Sequence, residues 1–150
     1  MARRRTIYRW WDSKTGILLD ALLQDAAEHL TPADHGDLRE DLRDHLSRVA
    51  VFLTSTDAGA VCRALIGQAQ HDPAFTAVFR SRFLGEQRER DRLPLDRAIA
   101  RGQIPADTDV AAGIDELLGP IYYRALVTGE PADQPFTDHL VDHYLHRFTA

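Results

Sequence analysis

The sequence predicts an all-α protein of about seven to eight helices. Apolar residues recur at the three- and four-residue spacing of amphipathic helices along most of the 150 residues, whereas the alternation typical of strands is nearly missing. Prolines and glycines divide this pattern into segments of helical length. One domain is expected at this length, and 44% hydrophobic with 27% charged residues is typical of a globular protein.

Capping residues and breaks mark the helices of the first half. Ser13 and Asp37 each precede a helical apolar pattern, and both residue types favour the N-cap position. Thr31-Pro32 ends the second helix, and His71-Asp72-Pro73 ends the fourth. The predicted helices of this half cover residues 3–11, 14–30, 37–54 and 57–70.

The next helix begins with Asp72 as its cap and Pro73 in its first turn. Its inward face carries phenylalanines, and it becomes heavily charged over residues 86–92. Pro94 is expected to kink or split it, because proline lacks the N–H donor that a helix interior needs. The pattern then ends at Gly102.

Two further helices complete the prediction. Asp109 starts a helix that Pro120 bends and Gly129 ends. The final helix covers about residues 135–148, and its apolar stripe must be buried against something. That stripe consists of Phe136, Leu140, Tyr144 and Phe148.

Charge is unevenly distributed along the chain. Residues 1–14 hold five basic side chains and one acidic, whereas the other 136 hold 13 basic and 22 acidic. This imbalance predicts that only the first residues meet a polyanion such as DNA. Cys62 is the single cysteine, which excludes an internal disulfide and favours a cytoplasmic location. No apolar run reaches the ~18 residues of a membrane span, so no membrane partner is expected.

The clearest motif is Thr6-Ile7-Tyr8-Arg9-Trp10-Trp11-Asp12-Ser13-Lys14. It resembles the end of the helix-turn-helix in the tetracycline-repressor (TetR) family of transcriptional regulators. The shared order is threonine, an aliphatic residue, tyrosine, two mostly aromatic positions, a two-residue turn and lysine. In that family the recognition helix enters the major groove of DNA, and the next helix leads into the sensing body.

The resemblance implies a DNA-contacting role for this segment. Tyr8 and Lys14 would contact phosphates, while other residues would face the groove. Lysine at a helix start is unfavourable for the helix dipole, which favours phosphate neutralisation as the reason for Lys14. The alternative is that the aromatic residues belong to an ordinary core and the arginines to a solvated terminus. The predicted DNA-binding residues are Arg4, Arg5, Thr6, Tyr8, Arg9, Trp10 and Lys14.

A helix-turn-helix also needs two helices before its recognition helix. The sequence shows neither, since Met1 falls where the recognition helix is already under way. We therefore interpret residues 1–12 as the remainder of a recognition helix and residues 13–150 as a C-terminal ligand-sensing and dimerisation domain. We expect the chain as written to bind operator DNA weakly or not at all in a gel shift.

The resemblance continues through the body as an ordered series of short motifs that looks like one C-terminal subclass of TetR-type regulators. It implies a homodimer in which the last two long helices pack as a four-helix bundle with their mates. The alternative is that the apolar stripes of these two helices are buried within one chain. On the dimer interpretation, Ile121→Arg is expected to give monomers. The motifs lie at residues 65–73, 79–83, 97–104, 119–124 and 127–129, with Asp109. The predicted interface residues are Leu117, Ile121, Phe136, Leu140 and Tyr144.

The same resemblance implies a ligand cavity among the middle helices. Ligand pockets are mostly apolar with a few polar groups, but an aromatic stripe also fits a packed core. No charge cluster or cofactor fingerprint identifies the ligand. The predicted pocket residues are His45, Val49, Phe52, Phe75, Phe79, Arg82, Phe83 and Tyr123.

Two clusters of histidines and carboxylates have spacings that can hold zinc or nickel. We interpret both as polar surface and predict no resident metal and no cofactor. The sequence carries no Gly-x-Ser-x-Gly and no phosphate loop, so an enzyme is not expected. The clusters are His139, His143 and His146 with Asp138 and Asp142, and Asp41, Asp44 and His45.

The sequence therefore predicts a ligand-responsive transcriptional repressor. It would bind operator DNA as a homodimer, through a complete DNA-binding head, and a small-molecule effector would release it. The alternative is a dimeric helical protein that binds a small molecule or metal and does not act on DNA.

Overall fold

The computed structural model describes residues 13–149, which are helical apart from short connections and contain no β-strand. The described residues form seven helical segments, and only Arg92 separates the fourth from the fifth. The all-α prediction is confirmed, while the predicted helix over residues 3–11 lies outside the described part. The segments are α1 (Ser13–His29), α2 (Leu38–Ser55), α3 (Asp57–Ala69), α4 (Pro73–Phe79, Arg80–Leu84 and Gly85–Asp91), α5 (Leu93–Ala100), α6 (Val110–Tyr123 and Arg124–Thr128) and α7 (Gln134–His146).

Side-chain caps start most of these helices. In each case a side-chain oxygen accepts a hydrogen bond from the backbone N–H three residues later, which satisfies one of the free donors of the first turn. The caps of α2, α4 and α6 were predictable from sequence. Pro94 lies in the first turn of α5, so the predicted split of the long helix is confirmed. The capping residues are Asp37, Thr56, Asp72, Asp109 and Asp133.

The helix α2 is the centre of the bundle and contacts α3, α5, α6 and α7. Its buried face is continuous along its length, as its apolar spacing predicts. Among the described residues no single helix is both long and apolar enough to cross a membrane. The helices α2 and α3 satisfy that test only as a pair, and they are bent by 79° relative to each other. The apolar residues that α2 buries are Leu38, Leu42, Leu46, Val49, Ala50, Phe52 and Leu53.

Arg97 of α5 and Arg101, which directly follows α5, hold the connection between α1 and α2. Arg97 donates hydrogen bonds to the carbonyl oxygens of Pro32 and Ala33, at 3.3 and 3.1 Å. Arg101 pairs with Asp34 of the same connection at 3.3 Å. The start of α2 is thereby tied to the end of α5.

An ion pair joins α2 to α7. Asp138 accepts two hydrogen bonds from the Arg43 guanidinium, both at 3.0 Å, and one from Gln134 at 2.7 Å. The hydrogen bond from Arg43, and then that from Gln134, hold the pKa of this carboxyl below its ordinary value of 3.8. The pair therefore couples the packing of α7 to pH.

Asp138→Asn is expected to lower the melting temperature slightly at about pH 7, because a partly exposed pair contributes little. A carboxyl whose pKa is lowered by folding stabilises the protein above its unfolded pKa, and that contribution is lost as the pH falls through the folded pKa. The difference in melting temperature between Asp138→Asn and the wild type should therefore disappear below pH 3.8. Thermal melts over a pH series measure it, with the exposed loop variant Asp107→Asn as control. A difference that persists in acid would contradict the assignment.

Candidate functional site

A stripe of five residues at four-residue intervals runs along the inner face of α4. Its first part is a stack of rings: Phe75 and Phe79 lie 5.7 Å apart, and Phe79 and Phe83 lie 5.2 Å apart, between centroids. The stripe continues with Gln87 and Asp91, which are both buried. Four-residue steps drift by about 40° each on a regular α-helix. The π-helical turn Arg80–Leu84 contains an extra residue, which offsets part of this drift and keeps the stripe facing inward.

The polar end of this stripe forms a buried hydrogen-bonded cluster with α2. Asp91 Oδ1 lies 2.8 Å from His45 Nε2, and it also accepts a hydrogen bond from Gln87 Nε2 at 2.8 Å. Gln87 Oε1 in turn accepts from Arg90 Nε at 3.0 Å. His45 and Asp91 side chains are only 2% and 6% exposed, so the carboxylate depends on these partners for its stabilisation.

A cavity of about 370 Å³ lies between α4 and α6, directly beside this cluster. Its volume is at the small end of the range of roughly 300–1,000 Å³ that ligand pockets occupy. Arg88 and Asp115 form an ion pair across the two helices at 2.9 Å. The cavity is lined by Leu84, Gln87, Arg88, Asp91, Ile114, Asp115, Leu118, Gly119 and Tyr122.

Burial changes the acid–base behaviour of two groups near the cavity. It raises the pKa of the Tyr122 hydroxyl, and the neighbouring Cys62 and Asp91 raise it further. Burial likewise raises the pKa of the Cys62 thiol to about 12. At neutral pH both groups are therefore protonated, which leaves Tyr122 as a hydrogen-bonding group and Cys62 as an unreactive one.

The structure places the predicted pocket residues in two environments. Arg82 lies on the side of α4 that faces α1 and pairs with Asp20 at 3.6 Å. Tyr123 is 58% exposed on α6. The others are buried in the core, on α2 and α4, and of these His45 reaches the polar cluster. That buried set comprises His45, Val49, Phe52, Phe75, Phe79 and Phe83.

The predicted interface residues also divide. Leu117, Ile121 and Tyr144 are buried within their own chain, whereas Phe136 and Leu140 are only partly buried. Ile121 has no exposed surface at all, so an arginine there would disrupt the core instead of testing an interface. An exposed apolar strip lies further along α6 and consists of Tyr123, Leu126 and Val127.

Neither predicted histidine–carboxylate cluster brings three ligand atoms within 4.8 Å of one another. Asp41 accepts a hydrogen bond from the backbone N–H of His35 at 2.7 Å, whereas His45 points to Asp91. His139 and His143 stack at 6.3 Å between ring centroids. Within residues 13–149 the one group with three potential ligand atoms within 4.8 Å of one another is Asp25, Glu28 and His29 on the surface of α1.

The predicted DNA-contacting residues lie outside the described part of the chain, with one exception. Lys14 is exposed in the first turn of α1.

A second cavity, of about 410 Å³, lies beside α1 and is lined by residues of α1, α2 and α3, including His29 and Phe52. It has no buried polar cluster of the kind that lies beside the α4–α6 cavity.

Sequence reasoning missed Gln87, Asp91 and Tyr122 as site residues. The available signal was the four-residue interval that leads from Phe75 through Phe79 and Phe83 to two polar residues. It was hidden because residues 86–92 are rich in charge, and such a stretch is usually a solvated face. Tyr122 could not be distinguished from other aromatic residues of α6 without the packing of that helix.

Comparisons with known proteins agree on one family. The family model described as Tetracyclin repressor-like, C-terminal domain, matches residues 32–144. The HTH-type transcriptional regulator YdeS of Bacillus subtilis is 33% identical over 92% of this chain and 69% of its own length. The DNA-binding transcriptional repressor TetR of Mycobacteroides abscessus is 30% identical over 96% of this chain and 75% of its own. The crystal structure of the TetR family transcription regulator SCO0332 superposes with a TM-score of 0.84 and 34% identity, covering 94% and 78% of the two chains.

Proposed function

Because the chain belongs to the TetR family of transcriptional regulators, we propose that residues 13–150 are the effector-binding and dimerising part of a repressor. The observation that carries this proposal is the cavity between α4 and α6 with its buried polar cluster. A mostly apolar recess with a few fixed polar groups is the usual form of a small-molecule site. Operator DNA, a small-molecule effector and a second copy of the chain are the proposed partners, in the cytoplasm.

The proposed dimer uses α6 and α7. Tyr123, Leu126 and Val127 form an exposed apolar strip, and Val127 is 68% exposed. Large side chains of this kind are costly to leave in water, and a contiguous set marks an interaction surface. Phe136 and Leu140 of α7 are only partly buried, and they would complete the interface with the second copy.

The proposed release mechanism is a shift between two conformations of the dimer. An effector changes DNA affinity only if it binds the two conformations differently. In the proposed repressor α1 would lead from the DNA-binding head into the body, and it contacts the π-helical turn of α4. Asp20 of α1 pairs with Arg82 of that turn at 3.6 Å. A displacement of α4 on filling the cavity would therefore reach α1 and change the spacing of the two heads.

Val127→Arg is expected to convert the dimer into monomers, because it places a charge in the middle of the apolar strip. The chain should stay folded, since this side chain is exposed in the single chain. Sedimentation velocity measures the association, and circular dichroism checks the fold. The control is Val51→Arg, which replaces another exposed valine, at 54%, on α2. A wild-type chain that sediments as a monomer, or a V127R variant that remains dimeric, would overturn the proposed interface.

The competing proposal is a dimeric binding protein that does not act on DNA. A gel shift with the DNA upstream of its own gene distinguishes the two, using this chain and a chain extended by the residues encoded before Met1. The repressor proposal expects specific binding by the extended chain and release by its effector. No binding by the extended chain would favour the competing proposal.

A further inference from the structure

We propose that the cavity between α4 and α6 selects an effector with one protonated amine on a compact apolar body, and that Asp91 is the residue that selects the positive charge. The inference rests on the proposed function, because it assigns a chemical class to the ligand of that site.

Of the two carboxylate oxygens of Asp91, Oδ1 is hydrogen-bonded within the chain and Oδ2 is not. His45 Nε2 and Gln87 Nε2 both contact Oδ1, each at 2.8 Å. No described side chain donates a hydrogen bond to Oδ2, and Asp91 is one of the residues that line the cavity. Asp91 Oδ2 is not among the fully buried polar atoms of the described chain, so it is open to a hydrogen-bond donor or a cation that enters the cavity. A ligand in the cavity can provide either group.

The His45 ring reaches Asp91 through one nitrogen only. Its Nε2 contacts Asp91, whereas its Nδ1 is buried and has no hydrogen-bond partner within the described residues. The tautomer with its proton on Nε2 makes the bond to Asp91 and leaves Nδ1 without an unsatisfied N–H. The second partner, Gln87, is an amide and carries no charge.

The other groups that line the cavity favour the same class of ligand. Arg88 is the one cation in the lining, and its guanidinium pairs with Asp115 at 2.9 Å. The lining thus holds two carboxylates and one guanidinium, with the Arg90 guanidinium outside it on Gln87, and this net negative lining should disfavour a carboxylate ligand. The Tyr122 hydroxyl can accept a hydrogen bond from an ammonium group. Leu84, Ile114, Leu118 and the Tyr122 ring provide the apolar walls.

Three probes with the same body separate the ligand classes: 4-phenylbutylamine, 4-phenylbutan-1-ol and 4-phenylbutanoate. Titration calorimetry and thermal shift on the wild-type chain are expected to show the amine binding about tenfold or more tighter than the alcohol, because its hydrogen bond is charge-assisted. The carboxylate should show no binding. A carboxylate or alcohol that binds as tightly as the amine would overturn the proposal, as would no binding by any of the three.

Asp91→Asn removes the charge and keeps the shape. It is expected to abolish the preference for the amine. Asp96→Asn makes the same change in net charge at a residue that does not line the cavity, and it should preserve that preference.

If D91N does not fold, Gly119→Leu still tests the site. Gly119 lines the cavity, and a Cβ there would meet no atom within 4 Å, so leucine at this position would occupy part of the cavity.

The matched control for Gly119→Leu is Gly67→Leu, a helical glycine with equally open space on α3. G119L should weaken amine binding at least about tenfold, whereas G67L should leave amine binding unchanged. Amine binding that survives G119L would overturn the assignment of the ligand to this cavity. The chain could prove to be a dimer that V127R dissociates and still prefer the alcohol or the carboxylate, with G119L removing that binding. This result would overturn the amine class of ligand and leave the proposed function standing. A monomeric wild type would count against the proposed function itself.

Discussion

Ile121→Arg is expected to unfold the chain instead of merely separating a dimer. Ile121 has no exposed surface in the single chain and lies in the core between α6 and its neighbours. An arginine there would bury a charge without a partner or force the helix out of the core. The cost should exceed about 4 kcal/mol, which is a large part of the roughly 5–15 kcal/mol that stabilises a domain.

Circular dichroism and urea titration measure this effect, with sedimentation velocity to detect aggregation. The matched control is Val127→Arg, which makes a similar change six residues later on an exposed position. The control should keep its helical signal, whereas I121R should lose its cooperative transition. A folded, monomeric I121R with the melting temperature of the wild type would instead place Ile121 at a subunit interface, as its spacing in the sequence suggested.

Gly59→Ala is expected to destabilise the chain strongly, although alanine usually favours a helix. The chain turns by 79° between α2 and α3, and Gly59 lies in the first turn of α3. A Cβ at this position would lie 1.7 Å from the carbonyl oxygen of Phe52 and 2.9 Å from the Cα of Leu53. Both atoms belong to the backbone of α2, so a side-chain rotation cannot relieve the clash.

The two helices would have to separate, and the expected cost is about 3 kcal/mol or more, against a gain of about 1 kcal/mol from helix propensity. Urea titration of the folded chain measures the difference in the free energy of unfolding. Gly67→Ala is the control, because it lies in the same helix with open space around it and should stabilise the chain by about 0.5–1 kcal/mol. Equal stability of the two variants would contradict the close approach of α2 and α3.

Much of the fold could be predicted because it depends on local chemistry. Asp37, Asp72 and Asp109 are recognisable caps in the sequence, and each accepts the expected backbone hydrogen bond. The predicted boundary at Pro94 follows from one missing donor, whatever surrounds it. Thr56 and Asp133 also cap helices, but the sequence analysis predicted only the boundaries beside them and not the capping residues.

The site could be predicted only in part. His45 was a predicted polar contact, and it does reach the buried cluster beside the cavity. Its partner Asp91 lies 46 residues later, and nothing local indicates that this aspartate is buried among so many solvated charges. Phe75, Phe79 and Phe83 are packed into the core instead, since an apolar stripe has the same spacing in a cavity wall and in a core, and Tyr123 is exposed.

By itself, then, the sequence determined the helical class, most helix ends and the TetR resemblance, because caps, breaks and apolar periods act within a few residues of the chain. Only the tertiary structure decided which faces meet. It placed the cavity between α4 and α6, buried Asp91 against His45, and left Tyr123, Leu126 and Val127 on the surface. These outcomes depend on the approach of helices that are distant in sequence, and the pattern of one helix does not specify which partner covers it.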